Sequence, residues 1–284
     1  MNSNNLRVHN APFDWSKMNE DILRIGGVIA KGLFSENEVR NFNTEIDDYL
    51  RQQHDAGVPH SGSDQYNKFL GAKTIRLQGL IEKTTLAADW IGKQEFVDWA
   101  THAIEPIATS VLLNAAELIQ IGPGEPQQYI HRDTDSWPTA AHSETPLVVN
   151  ALIALDEFTE CNGATRVVPH SWSWPKDQRA SDADIVRAVM SKGDVLLFRG
   201  DILHGGGANL TDTPRRGLSI TYCAGWLRPV ENSVFNISMD KARQLPTHLQ
   251  QLLGFTKYDG SAHQGGLLGL YENGDPAVLL QSNV

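Results

Sequence analysis

His131 and Asp133 stand two positions apart in the stretch QYIHRDTDSW, residues 128 to 137. Side chains of extended backbone alternate, so two residues at this spacing near a strand end face the same side. An imidazole nitrogen beside a carboxylate oxygen is half a chelate, and that mixed donor set suits Fe(II). A second histidine is needed. Of the ten in the chain, most stand in polar surroundings where a solvated side chain is the ordinary reading. His204 differs: it follows the apolar run GDVLLFRGDIL and precedes three glycines, a backbone free to take positive φ and to leave room beside a ligand. The separation from Asp133 is long enough for several strands to intervene. Taken alone, a His-x-Asp pair is a weak signal, and the triple glycine strengthens it only modestly. Asp135 offers another carboxylate, but its spacing of four from His131 suits a helix rather than a strand end.

These residues must be positioned by the surrounding elements. From Ala116 to about residue 230 the chain consists of short β-like runs separated by turn residues: AELIQIGPGEP, PLVVNALIAL, GATRVVPH, GDVLLFRG and GLSITYCAGW. Such runs predict a many-stranded block. Ahead of it a strand, GGVIAKGL, leads to Ser35 and Glu38 at capping-box spacing and to a helical run at Val39, Phe42, Ile46 and Leu50. Residues 80–116 carry mostly helical pattern, broken at Pro106. Residues 54–72 read as a long loop able to cover a site, and residues 1–15 as a loose polar leader. Helices first and strands after predict a β-sandwich or jelly roll with helices on one outer face.

A chain of 284 residues can bury a sizeable core and reads as one domain, 1–284. The net charge of −10, with no basic run, excludes a nucleic-acid partner. No stretch is long and apolar enough to span a membrane, so a cytoplasmic protein is expected, with a homodimer left open. Cys161 and Cys223 belong to no CxxC pair and are expected to be reduced and buried.

Arg215, behind Pro214 in HGGGANLTDTPR, adds the feature that decides between readings. HRD, the distal HGGGAN and this PR together resemble the phytanoyl-CoA dioxygenase-like family of Fe(II)/2-oxoglutarate-dependent oxygenases. GGVIAKGLFSENEV, FLGAKTIRLQGLIEK and LDEFTECNGATRVVPHSWSW extend the likeness over roughly residues 20–230; the last fifty residues carry no such motif. The resemblance implies an α+β fold with a double-stranded β-helix core, cupin-like, and flanking helices. It implies iron held by His131, Asp133 and His204, with 2-oxoglutarate and O₂ as cosubstrates. Arg215 would grip the distal carboxylate of 2-oxoglutarate with its planar two-donor fork, while Arg216 would face the opposite side of its strand. Gln128, Thr165 and Arg76 match family positions that approach the cosubstrate. Relatives that halogenate lack the carboxylate at Asp133, so halogenation is not expected.

Asn150, a polar residue inside PLVVNALIAL, needs a buried partner; cosubstrate contact and a structural hydrogen bond fit it equally. The resemblance implies oxidation of a C–H bond in a small, largely apolar substrate of specialised metabolism. The alternatives are an acyl-CoA hydroxylase of the same family, a cupin-like metal-binding protein without oxygenase activity, and a metal-dependent isomerase or hydrolase on the same barrel.

Overall fold

A computed structural model describes residues 5–53, 62–137 and 144–281. Among them, ten strands build two facing sheets: β1 (Arg7–His9), β2 (Gly27–Ala30), β3 (Thr74–Leu77), β4 (Val111–Ile121), β5 (Val148–Ala154), β6 (Thr165–Val167), β7 (Val186–Ala188), β8 (Val195–Arg199), β9 (His204–Gly205) and β10 (Arg215–Ala224). The larger sheet has the order β1-β2-β8-β5-β10-β4-β3 and the smaller β7-β6-β9. All pairings are antiparallel except β1 with β2. This is the expected double-stranded β-helix with helices against one face.

The apolar strand runs follow from both faces of the larger sheet being covered. On β5, Leu152 and Ala154 turn toward the smaller sheet and pack with Phe198, Val167 and Ala188. Val149, Ala151 and Ile153 turn the other way, into a larger core with the helices. Those helices include α1 (Trp15–Ile25), α2 (Glu36–Gln52), α3 (Asp64–Leu70), α4 (Leu80–Lys83), α5 (Ala87–Ile91) and α6 (Gln94–Ile104). The capping box forms as expected: the Ser35 backbone N–H donates to Glu38 Oε2 (2.7 Å), and the Glu38 N–H to Ser35 Oγ (3.2 Å). Helix α2 then buries Val39, Phe42 and Ile46, with Phe42 stacked on Trp90 at 4.6 Å. A fully buried side chain of this size contributes about 1.5–3 kcal/mol, so this core rather than the polar site dominates stability.

Four expectations need correction. The leader is not wholly loose, because β1 adds an edge strand beside β2 and Arg7 bonds Asp21 at 2.8 Å. Helix α1 precedes β2 unannounced, capped by Asp14, which accepts the Lys17 N–H, and stopped by Gly26 at φ 106°. Helical pattern ends at Ile104, and VLLNAAELIQI is one strand from Val111, paired along β10 with a bulge at Thr221/Tyr222. The stretch read as a loop contains α3 within Asp64–Leu70, while residues 54–61 of it lie outside the described residues. Among the described residues no helix is long and apolar enough to cross a membrane.

Candidate functional site

His131 and His204 face each other across an antiparallel bridge, each backbone N–H donating to the other's carbonyl at 2.9 Å. His204 opens β9, whereas His131 lies in an isolated bridge and Asp133 begins a 3-10 turn over Asp133–Ser136. The pair therefore does not sit on a regular strand. Arg132 between them turns inward, its Nε donating to Asp201 O and its Nη2 to Ser171 O, both at 2.9 Å. That buried anchor, with the Asp133 N–H on Gly200 O at 2.8 Å, fixes the neighbours on either side.

Nδ1 of His131 meets Tyr129 O at 3.2 Å and Nδ1 of His204 meets Ile202 O at 3.1 Å. A carbonyl partner requires Nδ1 to carry the hydrogen, which leaves each Nε2 lone pair free for a metal. Both Nε2 atoms lie 3.6 Å from Asp133 Oδ1, and the three ligand atoms fall within 4.8 Å of one another. Desolvation raises the Asp133 carboxyl's pKa, but His204, His131 and Asn150 outweigh it and bring the value down to about 2. Desolvation lowers the pKa of His204, favouring the neutral imidazole that can ligate. Asn150 Nδ2 donates to Asp133 Oδ2 at 2.8 Å, and its buried Oδ1 has no hydrogen-bond partner among the described residues. Asp135 accepts from the Arg132 N–H at 3.3 Å and stays outside the cluster.

The three glycines after His204 have no positive φ, contrary to expectation. Their reason is close approach: a Cβ at Gly207 would lie 2.7 Å from Ala164 O, and at Gly205 3.0 Å from Tyr129 O.

The cluster opens into a cavity of about 380 Å³ that Gln128, Thr165, Arg76 and Arg215 also line. Arg215 is buried, its guanidinium 3.9 Å above the Phe158 ring, its Nη2 donating to Gly163 O and its Nε without a partner. No carboxylate of the described residues lies within ion-pair distance of it. Burial pulls its pKa down to about 9, still above neutrality, so a desolvated cation waits for an anion. Arg216 alternates outward and bonds Gln120, Asn43 and Asp47. Gln128 spans two backbones, accepting the Gly206 N–H at 3.1 Å and donating to Phe69 O at 3.2 Å. Arg76 is paired with Glu117 and donates Nε to Leu70 O at 2.8 Å.

Sequence reasoning missed Phe158, Gly163 and Glu117. Glu117 had a signal, an acid on the inward side of the alternation in AELIQI; the other two had none, since their role depends on where Arg215 comes to lie. Cys223 is buried as expected but Cys161 is exposed, because it stands in the turn before Gly163 rather than in a strand.

The chain is similar to known proteins. The sequence profile of the phytanoyl-CoA dioxygenase (PhyH) family matches residues 23–217. Dioxygenase FUM3 of Gibberella moniliformis is 32% identical over 242 residues, spanning 81% of this chain and 79% of that protein. Dioxygenase ALT11 of Alternaria alternata is 31% identical over 263 residues, 88% and 83% of the two chains. Among solved structures, the non-heme alpha ketoglutarate dependent carbocyclase SnoK from nogalamycin biosynthesis superposes with a TM-score of 0.60 at 17% identity, covering 80% of this chain and 94% of its own. HygX of Streptomyces hygroscopicus, solved with nickel, 2-oxoglutarate and hygromycin B bound, gives 0.58 at 15% identity over 76% and 89%. At such identities these two structures speak for the fold.

Proposed function

The chain belongs to the phytanoyl-CoA dioxygenase family, and from that premise we propose that His131, Asp133 and His204 hold Fe(II) and that Arg215 anchors 2-oxoglutarate beside it. It is an Fe(II)/2-oxoglutarate-dependent dioxygenase. The observation that carries the site assignment is the convergence of two Nε2 atoms and one carboxylate oxygen within 4.8 Å, in one cavity with a buried, unpaired guanidinium. Two imidazoles and one carboxylate fit Fe(II) and leave coordination positions open; the partnerless Arg215 Nε fits a carboxylate of the cosubstrate.

The residues divide the work. The carbonyls of Tyr129 and Ile202 hold the imidazoles in the ligating tautomer, and Asn150 holds Asp133 so that Oδ1 faces the histidines. Arg215 would take the distal carboxylate, with Phe158 stacked under its guanidinium, and Thr165 lines the same cavity. Gln128 braces the wall by tying the Gly206 backbone to Phe69. Ile121, Leu152 and Phe198 keep water from the cosubstrate. Iron bound here with 2-oxoglutarate and O₂ supplies oxidation of a substrate C–H bond, coupled to release of succinate and CO₂. Arg76, held by Glu117, would approach the cosubstrate from β3 in the same cavity as Arg215. The substrate is a small organic molecule of specialised metabolism, a reading supported by the named dioxygenase relatives. One domain spanning the two sheets and their helices houses the whole reaction.

The test is conversion of 2-oxoglutarate to succinate by purified protein with Fe(II). His131→Ala, Asp133→Ala and His204→Ala should each abolish it and lower bound iron while far-UV circular dichroism is retained; unchanged iron affinity in all three refutes the ligand set.

A further inference from the structure

Alternation along β4 breaks at one place. Ile121, Ile119, Glu117 and Ala115 line the cavity in turn, as a period of two requires, and Leu113 should follow. Instead Asn114 lines the cavity beside Ala115, while Leu113 packs in the helix-side core. The cause is the bulge: Thr221 pairs with Ala115 and Tyr222 with Leu113, so Asn114 is the unpaired extra residue. A bulge re-aims a side chain and interrupts the ladder around it. Buried Glu231 supplies partners there. Its N–H donates to Asn114 O at 2.8 Å, and its carboxylate takes the Ala116 N–H at 2.8 Å and the Gly79 N–H at 2.7 Å. The bulge is therefore held from behind.

Asn114 is only 5% exposed, and its Oδ1 accepts the Val230 N–H at 2.9 Å. Only the oxygen of an amide can accept, so that bond fixes which end is which. Nδ2 is the end left over. It makes no hydrogen bond among the described residues, yet it is not one of the sealed unpartnered atoms, so its hydrogens reach free space at the cavity wall. The register says what lies nearby. Thr221, opposite Ala115, is also opposite Asn150 on β5, whose amide holds Asp133. Arg215 begins β10 six residues before Thr221, roughly 20 Å along the strand at about 3.3 Å per residue. Asn114 thus stands level with the residue that backs the metal cluster and remote from the strand end that carries Arg215.

From this placement we propose that Asn114 is a specificity-determining residue: its Nδ2–H donates to a carbonyl or hydroxyl oxygen of the substrate and thereby sets which C–H bond faces the metal. The inference rests on the cofactor assignment above. A nearly buried donor gains from a substrate oxygen and penalises a substrate without one, because the amide would then be covered and left unpaired. The clamp behind the bulge makes the contact directional. A donor held in one place fixes one oxygen, and only carbons at a set reach from that oxygen come to the metal.

The experiment uses two probes of one shape, acetophenone and α-methylstyrene, which differ in carrying a carbonyl oxygen or a methylene. Protein is first loaded with redox-inert Zn(II) and 2-oxoglutarate, and calorimetry records that uptake; its failure sinks the cofactor assignment itself. Both probes are titrated by NMR on loaded and on unloaded protein, so the amide contact is judged in either case. Acetophenone, and not α-methylstyrene, should move the Asn114 side-chain amide resonance, identified by its absence from either variant below. The ratio of ketone to alkene affinity should fall about three- to tenfold in Asn114→Leu. Asn114→Asp at pH 8 keeps an oxygen for the Val230 N–H but has no donor, and should lower the ratio at least as far. A merely structural role would weaken both probes together and leave the ratio alone. An unmoved amide resonance, no uptake of the ketone, or an unchanged ratio overturns the inference while leaving the cofactor assignment standing. If Asn114→Leu fails to fold, Asn114→Asp decides by itself.

Discussion

Asn150, in the middle of β5, donates its Nδ2–H to Asp133 Oδ2 across 2.8 Å, tying the carboxylate of the proposed metal cluster to the central part of the larger sheet. Asn150 is fully buried, opposite Thr221 on β10 and Phe198 on β8. Its place in the sheet therefore sets where that carboxylate points. Groups that orient metal ligands from behind typically govern affinity by about 10–100-fold. Asn150→Ala should weaken Fe(II) binding by that factor, measured by metal titration, while the melting temperature of the metal-free protein falls only slightly. Unchanged affinity would show that Asp133 is held without it.

Arg215→Lys keeps the charge but loses the planar fork, so the KM for 2-oxoglutarate should rise about tenfold or more, from loss of roughly 1.5–3 kcal/mol of charge-assisted hydrogen bonding. Arg216→Lys should leave that KM alone and cost about 1 kcal/mol of stability, because its bonds to Gln120 and Asn43 are structural. Steady-state kinetics with thermal melts separates the two, and reversed effects would mean that the inner face of β10 has been misassigned.

Gly163→Ala joins backbone strain to a collision. The residue has φ 94°, and a Cβ there would lie 2.8 Å from Gly207 O, while its own carbonyl holds Arg215. A destabilisation of about 1–3 kcal/mol is expected, together with a raised KM for 2-oxoglutarate. A variant with wild-type melting temperature and kinetics would refute this account.

The two thiols should separate by reactivity. Burial pushes Cys223 up to about 12, whereas Cys161 is exposed. At pH 8 a thiol reagent should titrate one cysteine in the folded protein and two in denaturant; rapid labelling of both in the folded state would place Cys223 wrongly.

The chemistry was legible in the sequence wherever a motif restricts the role. His131, Asp133 and His204 make a weak pattern by spacing, and the resemblance carried by HRD and HGGGAN singles them out as the proposed ligands, whereas the strand block shows because its turns are marked by glycine, proline and aspartate. What the sequence hid depends on long-range pairing. Strand β1 is three residues, Arg7–His9, with no periodicity of its own; only β2 makes it a strand. Helix α1 has readable caps in Asp14 and Gly26 and an apolar stripe at Met18, Ile22 and Ile25, but the polar residues between them leave its pattern fainter than that of the apolar strand that follows. The Arg76–Glu117 pair joins β3 to β4, a contact that strand register creates and no local pattern announces.

The reciprocal bridge between His131 and His204 uses only main-chain atoms, which every residue but proline supplies. The scaffold is thus largely indifferent to which side chains stand at those two positions. In evolutionary terms the site is editable: one substitution can remove a proposed metal ligand while the sheets, the bridge and the cavity persist. A descendant that lost such a side chain would keep the same architecture, so fold alone would not distinguish it from its active relatives.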